Sequence, residues 1–177
     1  MKVPNQEWNV FESILETKEL EKRDYLLREG QVCQQVYFLC DGILRAFHTS
    51  EDGREINTAF YFKNEFLREI ESMTENIPTS KNIQAIKACT VICIDKSKLT
   101  GLYAQSGFYQ QVGRAILESL TIAEQRYSYL LTTYSPKERY LYLLKERPEL
   151  IEQVPLQHLA SYIGISRESL SRIRRRI

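Results

Sequence analysis

The chain has 177 residues, 43% hydrophobic and 27% charged, an ordinary globular composition that excludes a disordered polymer and suits one compact domain or two small ones. No apolar run approaches the ~18 residues of a membrane span, and the N-terminal MKVPNQEWNVFESILE lacks the apolar core of a secretion signal, so a cytoplasmic protein with no membrane partner is expected. The net charge of +1 is unevenly spread: residues 135–177 hold nine Lys/Arg and five Asp/Glu (+4), whereas residues 1–134 hold fifteen and eighteen (−3). A basic tip on an acidic body points to a polyanion partner for the tip alone.

Residues 7–22 space Trp8, Phe11, Ile14 and Leu15 as an amphipathic helix would. Residues 24–95 change character. Short apolar runs (DYLL, QVYFL, ILRAFHT, INTAFYF, NIQAI, TVICI) alternate with turn signals at Glu29-Gly30, Asp41-Gly42 and Glu51-Asp52-Gly53. Short strands at this spacing indicate a β-sandwich or barrel. The polar stretch 64–80 reads as a helical turn plus loop.

Residues 107–134 carry an apolar stripe, Tyr109, Val112, Ile116, Leu120, Ala123, Tyr127, Leu130 and Tyr134, in steps of three or four. Leu117, Ile122 and Leu131 add apolar surface off the stripe, enough for one face to pack on the β-domain and another on a second subunit. Ser135-Pro136-Lys137-Glu138 is a helix start: Ser caps, Pro suits the first helical position and Glu completes a capping box. The junction of the two helices is a candidate hinge. It gives the expected boundaries: residues 1–106 a strand-rich domain, 107–134 a long helix and hinge, 135–177 a C-terminal helical domain.

The segment 154–177, VPLQHLASYIGISRESLSRIRRRI, fits a helix-turn-helix position by position. Leu159 and Ala160 lie in a first helix, with Ala160 small where a second helix crosses. Gly164 follows where the turn needs positive φ, flanked by Ile163 and Ile165. Ser166 caps the second helix, and Leu170 and Ile173 form its buried face. The other positions are polar and rich in arginine, as a major-groove helix requires.

On these residues the whole chain resembles the Crp/Fnr superfamily of bacterial transcription regulators, and residues 135–177 resemble the compact subgroup common in Bacteroidetes. The resemblance implies an α+β chain: an N-terminal cyclic-nucleotide-binding-type β-roll (jelly roll), a long dimerisation helix and a C-terminal helix-turn-helix. It implies a homodimer on a palindromic double-stranded DNA site with GTGA-like halves, and RNA polymerase as a further partner. It assigns base reading to Arg167, Glu168 and Arg172. The chemistry agrees, since Arg donates twice to guanine O6 and N7 and Glu accepts from cytosine N4. Gln157 and Ser166 match positions that touch phosphate, and Ser171, Arg174 and Arg175 are further backbone contacts. Many relatives add a β-hairpin wing after the recognition helix; this sequence ends at Ile177.

The departures are informative. Nucleotide-binding members hold the ribose with a Gly-Glu pair and the cyclic phosphate with an Arg-Ser pair. Here the first falls at Leu67-Arg68 or Arg68-Glu69, without glycine, and the second at Thr79-Ser80, without arginine. Lys81 is a poor bidentate substitute. An effector pocket of Arg68, Glu69, Thr79, Ser80 and Lys81 is therefore expected not to hold cyclic AMP or cyclic GMP. The alternative is an effector-gated regulator that binds an unknown small ligand, or a cyclic nucleotide, in the β-roll. Cys33, Cys40, Cys89 and Cys93 lack the clustered N-terminal spacing of an iron–sulfur sensor and read as core residues, with neither cofactor nor metal expected. A β-barrel enzyme such as a cupin needs two His and a carboxylate on strands. His48 and His158 are the only histidines, so no enzyme is expected.

Overall fold

A computed structural model describes residues 5–177. The first four residues of the stretch read as lacking a secretion signal lie outside the described residues. In chain order the elements are α1 (Asn5–Glu12), β1 (Leu15–Leu20), β2 (Tyr25–Leu27), β3 (Gln35–Asp41), β4 (Leu44–Thr49), β5 (Glu55–Tyr61), β6 (Glu65–Leu67), α2 (Ile70–Glu75), β7 (Asn82–Ala85), β8 (Cys89–Asp95), α3 (Lys96–Gln105), α4 (Gly107–Thr133), α5 (Pro136–Glu146), α6 (Pro148–Gln153), α7 (Leu156–Tyr162) and α8 (Arg167–Arg175). The strands form two four-stranded sheets in the orders β1-β8-β3-β6 and β2-β7-β4-β5. By contacts the chain divides into two compact units, residues 1–44 with 61–120, and residues 45–60 with 121–177.

In the first unit, the β1-β8-β3-β6 sheet is antiparallel throughout, with Val36 opposite Ile94, Tyr37 opposite both Cys93 and Leu67, and Phe38 opposite both Ile92 and Phe66. Side chains alternate across a strand. Tyr37, Leu39, Leu67, Val91 and Cys93 therefore share the inner face, and all are buried. Val36, Phe38, Phe66, Ile92 and Ile94 share the opposite, outer face.

The sequence reading extended the first helix to residue 22, but α1 stops at Glu12 and residues 15–20 are strand β1. Every residue of β1 pairs with β8, from Leu15 opposite Ile94 to Leu20 opposite Cys89. Most of its side chains are exposed, and its charges suit a sheet edge. Long-range pairing has overridden a local helical spacing. The stretch 64–80 holds strand β6 and helix α2 before its loop. Helix α3, which the sequence reading left inside the β-domain, starts where the Asp95 carboxylate accepts from Ser97 N at 2.8 Å and Lys98 N at 3.2 Å.

In the second unit, α4 ends at Thr133 and α5 begins at Pro136. The Ser135 amide donates to the Glu138 carboxylate at 2.8 Å, the capping contact expected from the sequence. Leu143, Leu150, Leu159, Ile163 and Leu170 are buried and form the helical core. The β4–β5 hairpin lies in this unit from Arg45 to Phe60. Its turn is closed by Ser50 N donating to Arg54 O at 2.9 Å and Gly53 N to Ser50 O at 2.8 Å.

Candidate nucleic-acid interface

Helices α7 and α8 form the helix-turn-helix. Ala160 is 1% exposed, and its carbonyl accepts from Ile165 N at 3.0 Å, which closes the turn. Gly164 has φ +72°. A Cβ there would lie 3.2 Å from Arg139 Nη1, so both backbone and space call for glycine. Ser166 Oγ accepts from Ser169 N at 3.1 Å and caps α8.

Leu170 is buried and Ile173 half-buried, so the opposite face of α8 is free to meet a partner. At 3.6 residues per turn, Glu168, Ser171, Arg172 and Arg175 form the centre of that face. Arg167 and Arg174, seven residues apart, run along one edge. Arg167, Glu168, Arg172, Arg174 and Arg175 are exposed and Ser171 is half-buried. Gln157 is exposed near the start of α7. Ser169 was not singled out in the sequence, yet its hydroxyl accepts from Arg172 Nη2 at 3.2 Å and steers that side chain. The spacing of three between Ser169 and Arg172 was the available signal.

What holds α8 in place is a residue the sequence did not mark. Arg139 of α5 donates from Nε to Tyr134 O at 2.8 Å, from Nη2 to Leu131 O at 2.7 Å and from Nη1 to Ile163 O at 2.8 Å. The first two are carbonyls at the C-terminal end of α4, where cations are favoured. The third belongs to the turn of the helix-turn-helix. One planar guanidinium thus ties α4, α5 and the turn together.

The hairpin seats the other side of α7. Ser161 Oγ accepts from Asn57 N at 3.0 Å and donates to Glu55 O at 2.8 Å, completing the edge of β5. Tyr162 packs edge-on against Phe60 at 5.2 Å and stacks on Tyr127 at 4.5 Å. The Tyr127 hydroxyl lies 3.2 Å from Asn57 O and 3.1 Å from Tyr162 O, and burial pushes its pKa up to about 12. Arg45, 4% exposed, lies over the Phe47 ring, pairs with Glu55 at 2.5 Å and stands 3.1 Å from His158 Nδ1. A guanidinium can only donate, so Nδ1 is the acceptor and the imidazole proton sits on Nε2. Burial first, then the Arg45 charge, lowers the His158 pKa, while Glu55 opposes them.

The expected effector residues lie in the first unit. Glu69 is 7% exposed and its carboxylate pairs with Lys81 Nζ at 3.0 Å. Thr79 is buried; its Oγ1 accepts from Lys81 N at 3.0 Å, and its backbone bonds Gly30 and Gln31. Ser80 is exposed and Arg68 half-buried. Lys81, next in sequence to the expected Thr79-Ser80 pair, is thus already paired with a buried carboxylate. Cys33, Cys89 and Cys93 are buried and Cys40 is half-buried. Desolvation pushes the Cys89 thiol up to about 11 and raises that of Cys93.

The chain thus runs from a β-roll through a long helix to a helix-turn-helix with an exposed, arginine-rich face. Residues 17–106, just over half the chain, match the cyclic nucleotide-binding domain, and the chain belongs to that family. Over nearly its whole length it has the fold of the Crp/Fnr transcriptional regulators. It is similar to FixK2 from Bradyrhizobium japonicum, with TM-score 0.77 and 17% identity over 92% of this chain and 84% of that one. It is similar to the c-di-GMP-responsive global regulator CLP of Xanthomonas campestris, with TM-score 0.76 and 20% identity over 98% of this chain and 91% of that one. In sequence it is 25% identical over 100 residues to the anaerobic regulatory protein of Bacillus subtilis (strain 168), a match covering 56% of this chain and 42% of that protein. The matched stretch thus spans less than half of that curated relative. No helix among the described residues is long and apolar enough to cross a membrane.

Two outcomes follow. Arg139→Met keeps the length and apolar stem but leaves three carbonyls without their cation, and it should cost about 2–4 kcal/mol of stability in urea unfolding; a loss under about 0.5 kcal/mol would contradict the clamp. The lowered pKa of His158 means the unfolded chain takes up its proton first as pH falls. Stability is therefore lost from about the unfolded value of 6.5 downward, until the folded form protonates as well. Between pH 7 and pH 5 the native chain should lose more stability than His158→Gln, whose amide oxygen still accepts from Arg45; parallel pH profiles would contradict the neutral imidazole.

Proposed function

We propose that this chain is a sequence-specific transcriptional regulator that binds double-stranded DNA as a homodimer, with α8 in the major groove. The observation that carries this reading is the exposed face of α8, where Arg167, Glu168 and Arg172 stand on a helix held by the Arg139 clamp and the Ser166 cap. Arg167 and Arg172 supply paired donors for guanine, and Glu168 an acceptor for the cytosine amino group. Gln157, Ser166, Ser171, Arg174 and Arg175 serve the phosphates, which contribute affinity and salt dependence rather than sequence choice.

Helix α4 supports the dimer. Its 27 residues are about 40 Å long, and Leu117, Ile122 and Tyr129 on it are 39%, 47% and 56% exposed. Pairing two such helices would bury these side chains and set two recognition helices about 34 Å apart on a two-fold symmetric site. RNA polymerase is the further partner this reading implies. The domain division that goes with it is functional: residues 1–106 the sensor-like part, 107–134 the pairing helix and hinge, and 135–177 the DNA-reading part.

The β-roll, in this reading, does not take cyclic AMP. A cyclic phosphate brought to Lys81 would meet the buried Glu69 carboxylate, and separating that ion pair leaves a charge without its partner. Arg172→Ala should weaken binding to the preferred duplex by about 1–3 kcal/mol and relax preference at one base pair per half-site in a competition series. Equal weakening on all sequences would make Arg172 a phosphate contact instead. Calorimetry with cyclic AMP or cyclic GMP should show no binding heat, whereas tight binding of either would overturn the account of the cassette.

A further inference from the structure

The first unit contains a cavity of about 240 Å³ that the proposed DNA function does not use. It lies against the outer face of the β1-β8-β3-β6 sheet, where Val36, Phe66 and Ile94 line it. Those residues alternate with Tyr37, Leu67 and Cys93, which point to the other side of the sheet. The cavity is therefore separated by a sheet from the interior of the β-roll. Helices α1, α3 and α4 close it: Trp8 and Phe11 from α1, Leu99 and Tyr103 from α3, and Phe108, Val112 and Ile116 from α4 all reach it. Tyr109 OH donates to Glu7 O at 2.8 Å and ties α1 to α4. A Cβ at Gly113 would stand 2.3 Å from the Tyr103 hydroxyl, so a larger residue there would displace the Tyr103 ring from the cavity wall.

The lining is mostly apolar, with Thr100, Tyr103 and Tyr109 contributing hydroxyl-bearing side chains and two charged residues of one sign. Arg68, at the end of β6, and Lys96, at the start of α3, both reach the cavity, and no Asp or Glu lines it. Lys96 Nζ donates to Met73 O at 2.5 Å, which fixes the ammonium at the wall. The volume falls below the roughly 300–1,000 Å³ of most ligand pockets. A nucleotide would exceed it, and its ribose and base would find few polar partners there.

We propose that this cavity is a binding site for a small amphipathic anion, a single carboxylate on an apolar body, with Arg68 and Lys96 receiving the carboxylate and the α1–α3–α4 walls burying the body. A charged head held by two cations and an apolar tail out of water is the ligand chemistry that this lining complements. Because α4 forms one wall, occupancy bears directly on the helix proposed to pair subunits. The site itself stands whether or not the chain binds DNA.

The test is calorimetric titration of the full chain with sodium octanoate, with 3-phenylpropanoate as the aromatic counterpart and octan-1-ol as the neutral one. Octanoate or 3-phenylpropanoate should bind at one site per chain at least about tenfold more tightly than octan-1-ol. The stronger of the two acids decides between an acyl and an aryl body. Arg68→Leu should remove about tenfold of the acid's affinity and leave the alcohol within about twofold. Thr100→Trp, at an exposed rim position that tolerates bulk, should block all three ligands while the thermal midpoint stays near that of the native chain. Equal affinity for octanoate and octan-1-ol, an unchanged acid affinity in Arg68→Leu, or no binding of either acid at millimolar concentration would each overturn the proposal. None of these readouts involves DNA, so they succeed or fail independently of the regulator reading.

Discussion

Arg139 directs all three arms of its guanidinium at backbone carbonyls rather than at a carboxylate, and the geometry of the helix-turn-helix depends on that choice. Two of those carbonyls end the long helix and the third lies in the turn before the recognition helix. A helix C-terminus leaves carbonyls without intrahelical partners, and a tight turn does the same. A monovalent cation on a rigid fork satisfies both at once. The result is that α8 cannot rotate freely about its turn, because Ile163 O is fixed to the same group that fixes Leu131 O. Gly164 makes the approach possible: any side chain there would press on the guanidinium while straining the backbone.

The hairpin from Arg45 to Phe60 contributes the second restraint. Ser161 replaces a missing strand neighbour by offering β5 both an acceptor and a donor. Arg45, Glu55 and His158 form a polar cluster beside it, and the Asn57 Nδ2 is left without a partner among the described residues. An unmet buried amide typically costs about 1–3 kcal/mol. The stacked Tyr127–Tyr162 pair and the Phe60 edge contact offset that cost with apolar burial. The matched stretch 17–106 belongs to the cyclic nucleotide-binding family, and within it the Glu69 carboxylate is paired with Lys81. Shape and chemistry have separated there, and the apolar cavity on the other face of the sheet carries charge of the sign an anion needs.

The readable parts of the sequence were those where local chemistry and tertiary structure agree. Gly164, Ser166, Leu170 and Ile173 announce the helix-turn-helix because each position has one steric or capping task. The strand runs were legible because their turns carry glycine at positive φ, as at Gly42 and Gly53. Strand β1 was not legible: the helical spacing of Trp8, Phe11, Ile14 and Leu15 runs into it, and only pairing with β8, some seventy residues or more away, makes residues 15–20 extended. Helix α3 hid because its residues form no clear apolar stripe, although the Asp95 cap was present in the sequence. Arg139 and Arg45 hid for another reason. Arg139 lies in the charged run KER and Arg45 in the apolar run ILRAFHT, and neither setting announces the carbonyls, ring and imidazole that surround the guanidinium in the folded chain.

The central claim is that α8 reads DNA bases as one of a symmetric pair. Site selection by the purified chain from a random duplex pool, without added ligand, tests it most directly. The account predicts recovery of a two-fold symmetric site with GTGA-like halves about one helical turn apart, with affinity falling steeply as salt rises. Recovery of no preferred sequence, or of a single unrepeated half-site, would contradict it.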